Sequence, residues 1–152
     1  MGDGLVTTDC AGPLAAYCRL FAGLRPADLD RLGDVYTPDA RFKDPFNDVR
    51  GPEAIRGVFA HMYAVTEAPR FEVLEQAAVG SAGYIRWRFC FATKGRGARE
   101  WSIEGVSRVA FAVDGRVAEH VDYWDPVEGL YGRLPGLGWL FRLPRRWLAA
   151  PS

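Results

Sequence analysis

Four side chains stand where acid–base chemistry could be done: Asp44, Ser107, His120 and Asp122. A carboxylate beside an imidazole is the commonest pair for moving a proton to or from carbon or oxygen. Asp44 lies in Phe42-Lys43-Asp44-Pro45-Phe46-Asn47, closed by Val49-Arg50-Gly51. Pro45 pushes the backbone of Asp44 into the extended region, so a helix cannot run through it and the chain must turn there. His120 and Asp122 are two apart in a stretch of strand-like alternation, and alternate residues of a strand share a face.

Register brings Ser107 to that pair. Asp114-Gly115 is a strong signal for a two-residue hairpin turn, which pairs Val113 with Arg116. Counting back, Phe111 faces Ala118, Val109 faces His120 and Ser107 faces Asp122. One face then carries Trp101, Ile103, Gly105, Ser107, Val109 and Phe111, with Ala118, His120, Asp122 and Trp124 beside them. Glu100, Glu104, Arg108, Glu119 and Tyr123 take the other face. An odd loop around Gly95-Arg96-Gly97 keeps Trp87, Phe89 and Phe91 on the aromatic side and sets Arg88 opposite Glu104. Three polar groups on an apolar face admit two readings. They form a satisfied buried network, or they are the polar end of a ligand pocket. Asp44 completes the cluster if its strand reaches it. Aromatic burial disfavours a carboxylate's charged form and a charged imidazole favours it, and residue types alone leave that balance open.

The elements that must position these groups follow from periodicity. Residues 1–12 read as a leader. From Pro13, Leu14, Tyr17, Cys18, Phe21 and Leu24 form one helical stripe. Pro26 opens a second helix with Leu29, Leu32 and Tyr36, ended by Thr37-Pro38-Asp39. Residues 40–44 read as a short strand. Gly51-Pro52-Glu53 opens a third helix with Ile55, Val58, Phe59 and Met62, and His61 beside that stripe is either a packing histidine or a ligand contact. Four strands follow: 70–79, 84–93, 99–113 and 116–124. Helices followed by an antiparallel meander make an α+β domain over residues 13–133.

Bulk properties exclude several functions. The chain has 152 residues, 49% hydrophobic and 13% aromatic, one domain with a sizeable core. Lys+Arg and Asp+Glu are both 19, with no basic footprint for nucleic acid. The 3 cysteines have no CxxC or Cys/His spacing, which argues against a disulfide framework or a metal site and fits a reducing, cytoplasmic compartment. No signal-peptide pattern or membrane-length apolar run occurs. No cofactor motif is found. Residues 134–152 form an apolar, basic tail, cut by Pro135 and Pro144. Packing on the domain or on a partner is favoured for it over interfacial membrane contact. Cys90, Val106, Val117, Val121 and Tyr123 give the outer sheet face enough apolar character to expect a homodimer through it.

From Pro13 to about Trp124 the sequence resembles the nuclear transport factor 2-like (NTF2-like) superfamily, in its SnoaL-like and ketosteroid-isomerase-like branch. Asp44-Pro45-Phe46, Val113-Asp114-Gly115-Arg116-Val117 and Asp122-Tyr123-Trp124-Asp125 carry the resemblance. It implies a cone: helices packed into a strongly curved mixed or antiparallel sheet around a pocket for a small apolar ligand. Asp44 falls where ketosteroid isomerase has its proton-shuttling base. The isomerase's oxyanion hole needs a tyrosine and a protonated aspartic acid. Here the acid position holds Ser107, the tyrosine position falls near Leu20 or Phe21 with Tyr17 one turn away, and Phe59 replaces a supporting tyrosine. Losing one oxyanion donor costs about 100- to 1000-fold, which argues against efficient steroid isomerisation. In related polyketide cyclases an acid at this end of the sheet does acid–base work, a role open to Asp122. The resemblance thus implies a cofactor-independent isomerase, cyclase or hydrolase-type enzyme with Asp44, Asp122 and His120 catalytic. The pocket wall would be Tyr17, Phe21, Phe46, Phe59, Met62, Trp87, Phe89, Trp101, Ile103, Ser107, Val109 and Trp124. The alternative is a non-catalytic domain of the same fold that binds a ligand or a protein.

Overall fold

In a computed structural model, which describes residues 9–131, the chain forms a curled six-stranded sheet with helices packed into it. The elements are α1 (Ala11–Ala22), a 3₁₀ segment (Pro26–Arg31), α2 (Leu32–Val35), β1 (Tyr36–Lys43), β2 (Asp48–Arg50), α3 (Pro52–Val65), β3 (Thr66–Val79), β4 (Ala82–Thr93), β5 (Glu100–Phe111), β6 (Val117–Tyr123) and α4 (Pro126–Gly129). Strand order is β2-β1-β6-β5-β4-β3. All neighbours are antiparallel except β1 and β6, which run parallel.

Helix α1 begins two residues before the expected Pro13, and its N-terminal neighbour Cys10 is buried with its N–H bonded to the Gly80 carbonyl. Residues 10–12, expected in a leader, belong to the folded domain, because Cys10 is already core. Its stripe of Leu14, Tyr17, Cys18 and Phe21 is buried as the periodicity requires. The second helix is shorter than expected. It is split into the 3₁₀ segment and a four-residue α2, and Tyr36 begins β1 instead of ending a helix. Pro38 does not end an element; it lies inside β1. It lacks a donor for the ladder, and it falls in the irregular stretch between the Tyr36–Val117 and Arg41–Glu119 pairs. Strand β3 starts directly after α3 at Thr66, with Ala68 at φ 46° beside a break in the β3–β4 pairing. The strand β2 carries no periodicity of its own and was not expected.

The β5–β6 hairpin differs from the two-residue turn in a way that leaves the site unchanged. Phe111 pairs with Val117, and Ala112 to Arg116 form the turn. Gly115 sits at φ 85°, where other residues are strained. Ala118 is an extra residue against β5, a bulge that restores the expected offset, so Val109 pairs with His120 and Ser107 with Asp122. The bulge also puts Val117, not Ala118, into the core at 1% exposure. Val121 is buried too, so the outer face is less apolar than expected. Arg88 does pair with Glu104, inside a surface ladder with Arg86, Glu72 and Glu75. No helix among the described residues is long and apolar enough to cross a membrane. The tail from residue 134 lies outside the described residues.

Candidate functional site

The site begins with a glycine. Gly105 on β5 lies opposite Trp87 on β4. A Cβ there would come within 2.5 Å of the Trp87 ring and 3.0 Å of the Trp124 Cβ. Without it, the Trp87 indole lies across the sheet and its N–H donates to Ser107 Oγ at 2.8 Å. The Ser107 hydroxyl in turn donates to Asp122 Oδ1, directly across the β5–β6 ladder. The same Oδ1 meets His120 Nε2 at 2.7 Å. On the imidazole's other side, Nδ1 lies 2.6 Å from the Tyr17 hydroxyl of α1, which is 2.6 Å from the Tyr36 hydroxyl of β1.

One set of proton positions satisfies the whole chain. A carboxylate only accepts, so Nε2–H donates to Asp122 and Nδ1 accepts from Tyr17, which then accepts from Tyr36. Donors run from both ends and converge on Asp122. Burial raises the Tyr17 hydroxyl well above a phenol's usual range, with Tyr36 and Asp122 adding to the rise. Burial likewise raises Tyr36. Both phenols therefore keep the protons the chain needs. Ser107 (2% exposed) and His120 (5%) are closed off, whereas the Asp122 side chain is 16% exposed. Asp122 Oδ2 takes no hydrogen bond from the described residues. The carboxylate is the most exposed member of the network, and one of its oxygens is left to accept from a ligand.

Two cavities meet at that carboxylate. A small one of about 40 Å³, the scale of a water molecule, is lined by Tyr17, Phe21, Ser107 and His120 among others. A larger one of about 500 Å³ is lined by Phe46, Phe59, Met62, Trp87, Phe89, Ile103 and Trp124 of the expected wall. Asp122 borders both, as do Phe42, Phe59, Phe71 and Trp87. Two expected wall residues border neither. Val109 is fully buried beneath the sheet face, and Trp101, stacked on Phe91, borders a separate depression at the far end.

Asp44 also lines the larger cavity. Parallel pairing of β1 with β6 sets Phe42 beside His120, ring centroids 4.8 Å apart, and carries the chain on to Asp44. Its carboxylate organises the turn. Oδ1 accepts from the N–H groups of Phe46 and Asn47 at 2.7 Å, and Asn47 Nδ2 reaches both oxygens at 3.0 and 2.9 Å. His61 is exposed on α3 and lines the same cavity, with no hydrogen bond among the described residues, so it is not a bonded packing histidine. His120 borders only the small cavity, behind Asp122.

Sequence reasoning missed Tyr36, and it put Tyr17 on the pocket wall without giving its hydroxyl a partner. The tyrosine that reaches the polar cluster is Tyr17 itself, not a side chain at Leu20 or Phe21. A signal existed: a tyrosine in an apolar stripe carries a hydroxyl that must find a partner once buried.

The fold is shared with solved proteins of low sequence identity. A protein from Catenulispora acidiphila with a ketosteroid-isomerase-like fold, crystallised in complex with trimethylamine, aligns at TM-score 0.67 and 18% identity, covering 84% of this chain and 93% of that one. A SnoaL-like polyketide cyclase fold from Jannaschia sp. CCS1 aligns at 0.66 and 19%, covering 76% and 87%. TsrD from Streptomyces laurentii aligns at 0.63 and 20%, covering 82% and 93%. No curated protein sequence matches significantly. The SnoaL-like domain profile matches residues 17–120, from the tyrosine of α1 to the histidine of β6. The chain belongs to the SnoaL-like domain family, on the NTF2-like fold.

Proposed function

We propose that this protein is a cofactor-independent enzyme of isomerase or cyclase type, in which Asp122 moves a proton on a small, mainly apolar carbonyl compound held in the larger cavity. The observation that carries this reading is the Asp122 carboxylate. One oxygen is held by His120 and Ser107, and the other has no partner among the described residues, at the edge of a 500 Å³ aromatic chamber. A fixed, partly desolvated base with one open oxygen is what abstraction of a proton beside a carbonyl needs. The C–H proton passes to Oδ2, and the bonding pair moves onto the carbonyl oxygen as an enolate. Asp122 then returns the proton to another carbon in an isomerisation; in a cyclisation the enolate carbon first bonds to a second carbonyl of the same molecule, whose π pair moves onto its oxygen, and Asp122 protonates that alkoxide. His61 offers a donor for the enolate oxygen. His120 acts from behind as a positioning residue, since it borders only the small cavity. Asp44 shapes the chamber wall.

The test is solvent exchange. Small ketones are incubated with the protein in D2O and deuterium uptake beside the carbonyl is followed by proton NMR. A general base contributes about 100- to 10,000-fold, so Asp122→Asn is expected to remove nearly all protein-dependent exchange. Wild-type exchange no faster than that of Asp122→Asn, with the ketones still bound, leaves the non-catalytic ligand-binding reading. A homodimer through the outer sheet face, using exposed Tyr84, Val106 and Tyr123, completes the proposal. Sedimentation equilibrium showing only monomer at micromolar concentration refutes that part. The unpaired thiols Cys10, Cys18 and Cys90 fit a cytoplasmic location.

A further inference from the structure

The chamber's walls carry an electrostatic bias. Among the described residues that line it, eight are phenylalanine or tryptophan and two are carboxylates, and none is lysine or arginine. The chain has as many basic as acidic residues, 19 of each, so the bias is one of placement. On the outer face the carboxylates of Glu72, Glu75, Glu104 and Glu119 are each paired with arginine. Inside, Asp44 and Asp122 form no ion pair with lysine or arginine among the described residues; His120 touches Asp122, and His61 is the other imidazole on the chamber wall.

Two carboxylates in an aromatic chamber repel an anion and leave a neutral ligand indifferent. Aromatic faces carry the negative end of the ring quadrupole, so the rings add to the same potential. Phe42 and Phe59 pack edge to face at 5.4 Å, as do Phe46 and Trp124 at 5.5 Å, on walls that also hold the two acids. A strongly hydrated cation such as sodium or a primary ammonium would lose too much water to enter. An alkylated ammonium with an apolar body keeps little hydration to lose and gains from rings and carboxylates together.

From this lining we infer that the ligand of the larger cavity is an organic cation: an alkylated amine on an apolar body, its charge set between Asp44 and Asp122 and its carbon skeleton against the rings. The inference rests on the cavity being a ligand chamber. It does not require that Asp122 transfer a proton.

The experiment compares three probes of one shape on the full chain: benzyltrimethylammonium, its neutral carbon isostere neopentylbenzene, and the anion benzylsulfonate. Binding is read by quenching of tryptophan fluorescence, since Trp87 and Trp124 line the cavity, and by calorimetry. Ring and carboxylate attraction of about 1.4 kcal/mol or more corresponds to a preference for the cation of at least tenfold over the isostere. Asp44→Asn keeps an acceptor for the turn and is expected to cut that preference severalfold without changing affinity for the neutral probe. Asp122→Asn is expected to do the same. Equal or tighter binding of the neutral or anionic probe, or no binding of the ammonium at millimolar concentration, overturns the inference. If Asp122→Asn unfolds, the isostere comparison on wild type and Asp44→Asn decides alone. A cation preference without deuterium exchange would sink the enzymatic reading and leave this one standing; exchange without a cation preference would do the reverse.

Discussion

Replacing Tyr36 by phenylalanine should cost stability in the native chain and restore it in a chain that already lacks the Tyr17 hydroxyl. The reversal follows from the direction of the hydrogen-bond chain. Tyr36 is fully buried and its hydroxyl has Tyr17 as its partner, at 2.6 Å; Tyr17 is 3% exposed and reaches His120 at 2.6 Å. Tyr36→Phe removes one bond and leaves Tyr17 still donating to His120, a loss of about 1 kcal/mol. Tyr17→Phe strands two buried groups, the Tyr36 O–H and His120 Nδ1. Each costs about 1–3 kcal/mol, so the sum is about 2–6 kcal/mol, with no cavity to add because the ring remains. In the double variant only His120 Nδ1 is stranded, so adding Tyr36→Phe to Tyr17→Phe should return about 1–3 kcal/mol. The assay is urea unfolding of all four proteins at pH 7, with free energies compared at equal slope and combined as a double-mutant cycle. Equal effects of Tyr36→Phe in both backgrounds would refute the chain as drawn, and so would a Tyr17→Phe cost under about 1 kcal/mol.

Other expectations follow from the same geometry. Both tyrosines have folded pKa values raised by burial, so their contribution is complete below the ordinary value near 10 and is lost as pH climbs above it. Stability should therefore fall above pH 10, by up to about 1.4 kcal/mol per pH unit for each tyrosine, and the double phenylalanine variant should flatten that slope in pH-dependent urea unfolding. Gly105→Ala should cost about 1–3 kcal/mol by overpacking and shift the tryptophan emission, because the new methyl meets the Trp87 ring; unchanged emission would count against the placement of Trp87. Arg88→Ala, in the exposed ladder, should change stability by less than about 1 kcal/mol and lose even that in high salt; a larger effect by thermal unfolding would mean the ladder is not solvent-screened.

Much of the site was legible in the residues. Strand alternation has a period of two, so once Ser107, His120 and Asp122 were assigned to strands, one offset decided whether they met. The Asp114-Gly115 turn supplied that offset. It was wrong at the turn itself and right at the site, because the bulge at Ala118 absorbs the one-residue difference. A slip of one residue without that bulge would have turned His120 and Asp122 outward. Face, register and the Arg88–Glu104 pair are consequences of local periodicity, which the chain carries within a few residues of each position.

What tertiary structure alone decided is everything that depends on distant segments meeting. Tyr17 and His120 are 103 positions apart, and no local pattern says which turn of α1 lies over β6. The parallel pairing of β1 with β6 brings Asp44 to the chamber and Phe42 onto His120; a crossover pairing leaves no mark in either strand. Residue types named the acids, the imidazole and the rings. Only packing decided that His120 would lie behind Asp122, that Asp44 would be tied into its own turn, and that space would remain between them, since a cavity is set by the fit of whole elements rather than by any one side chain.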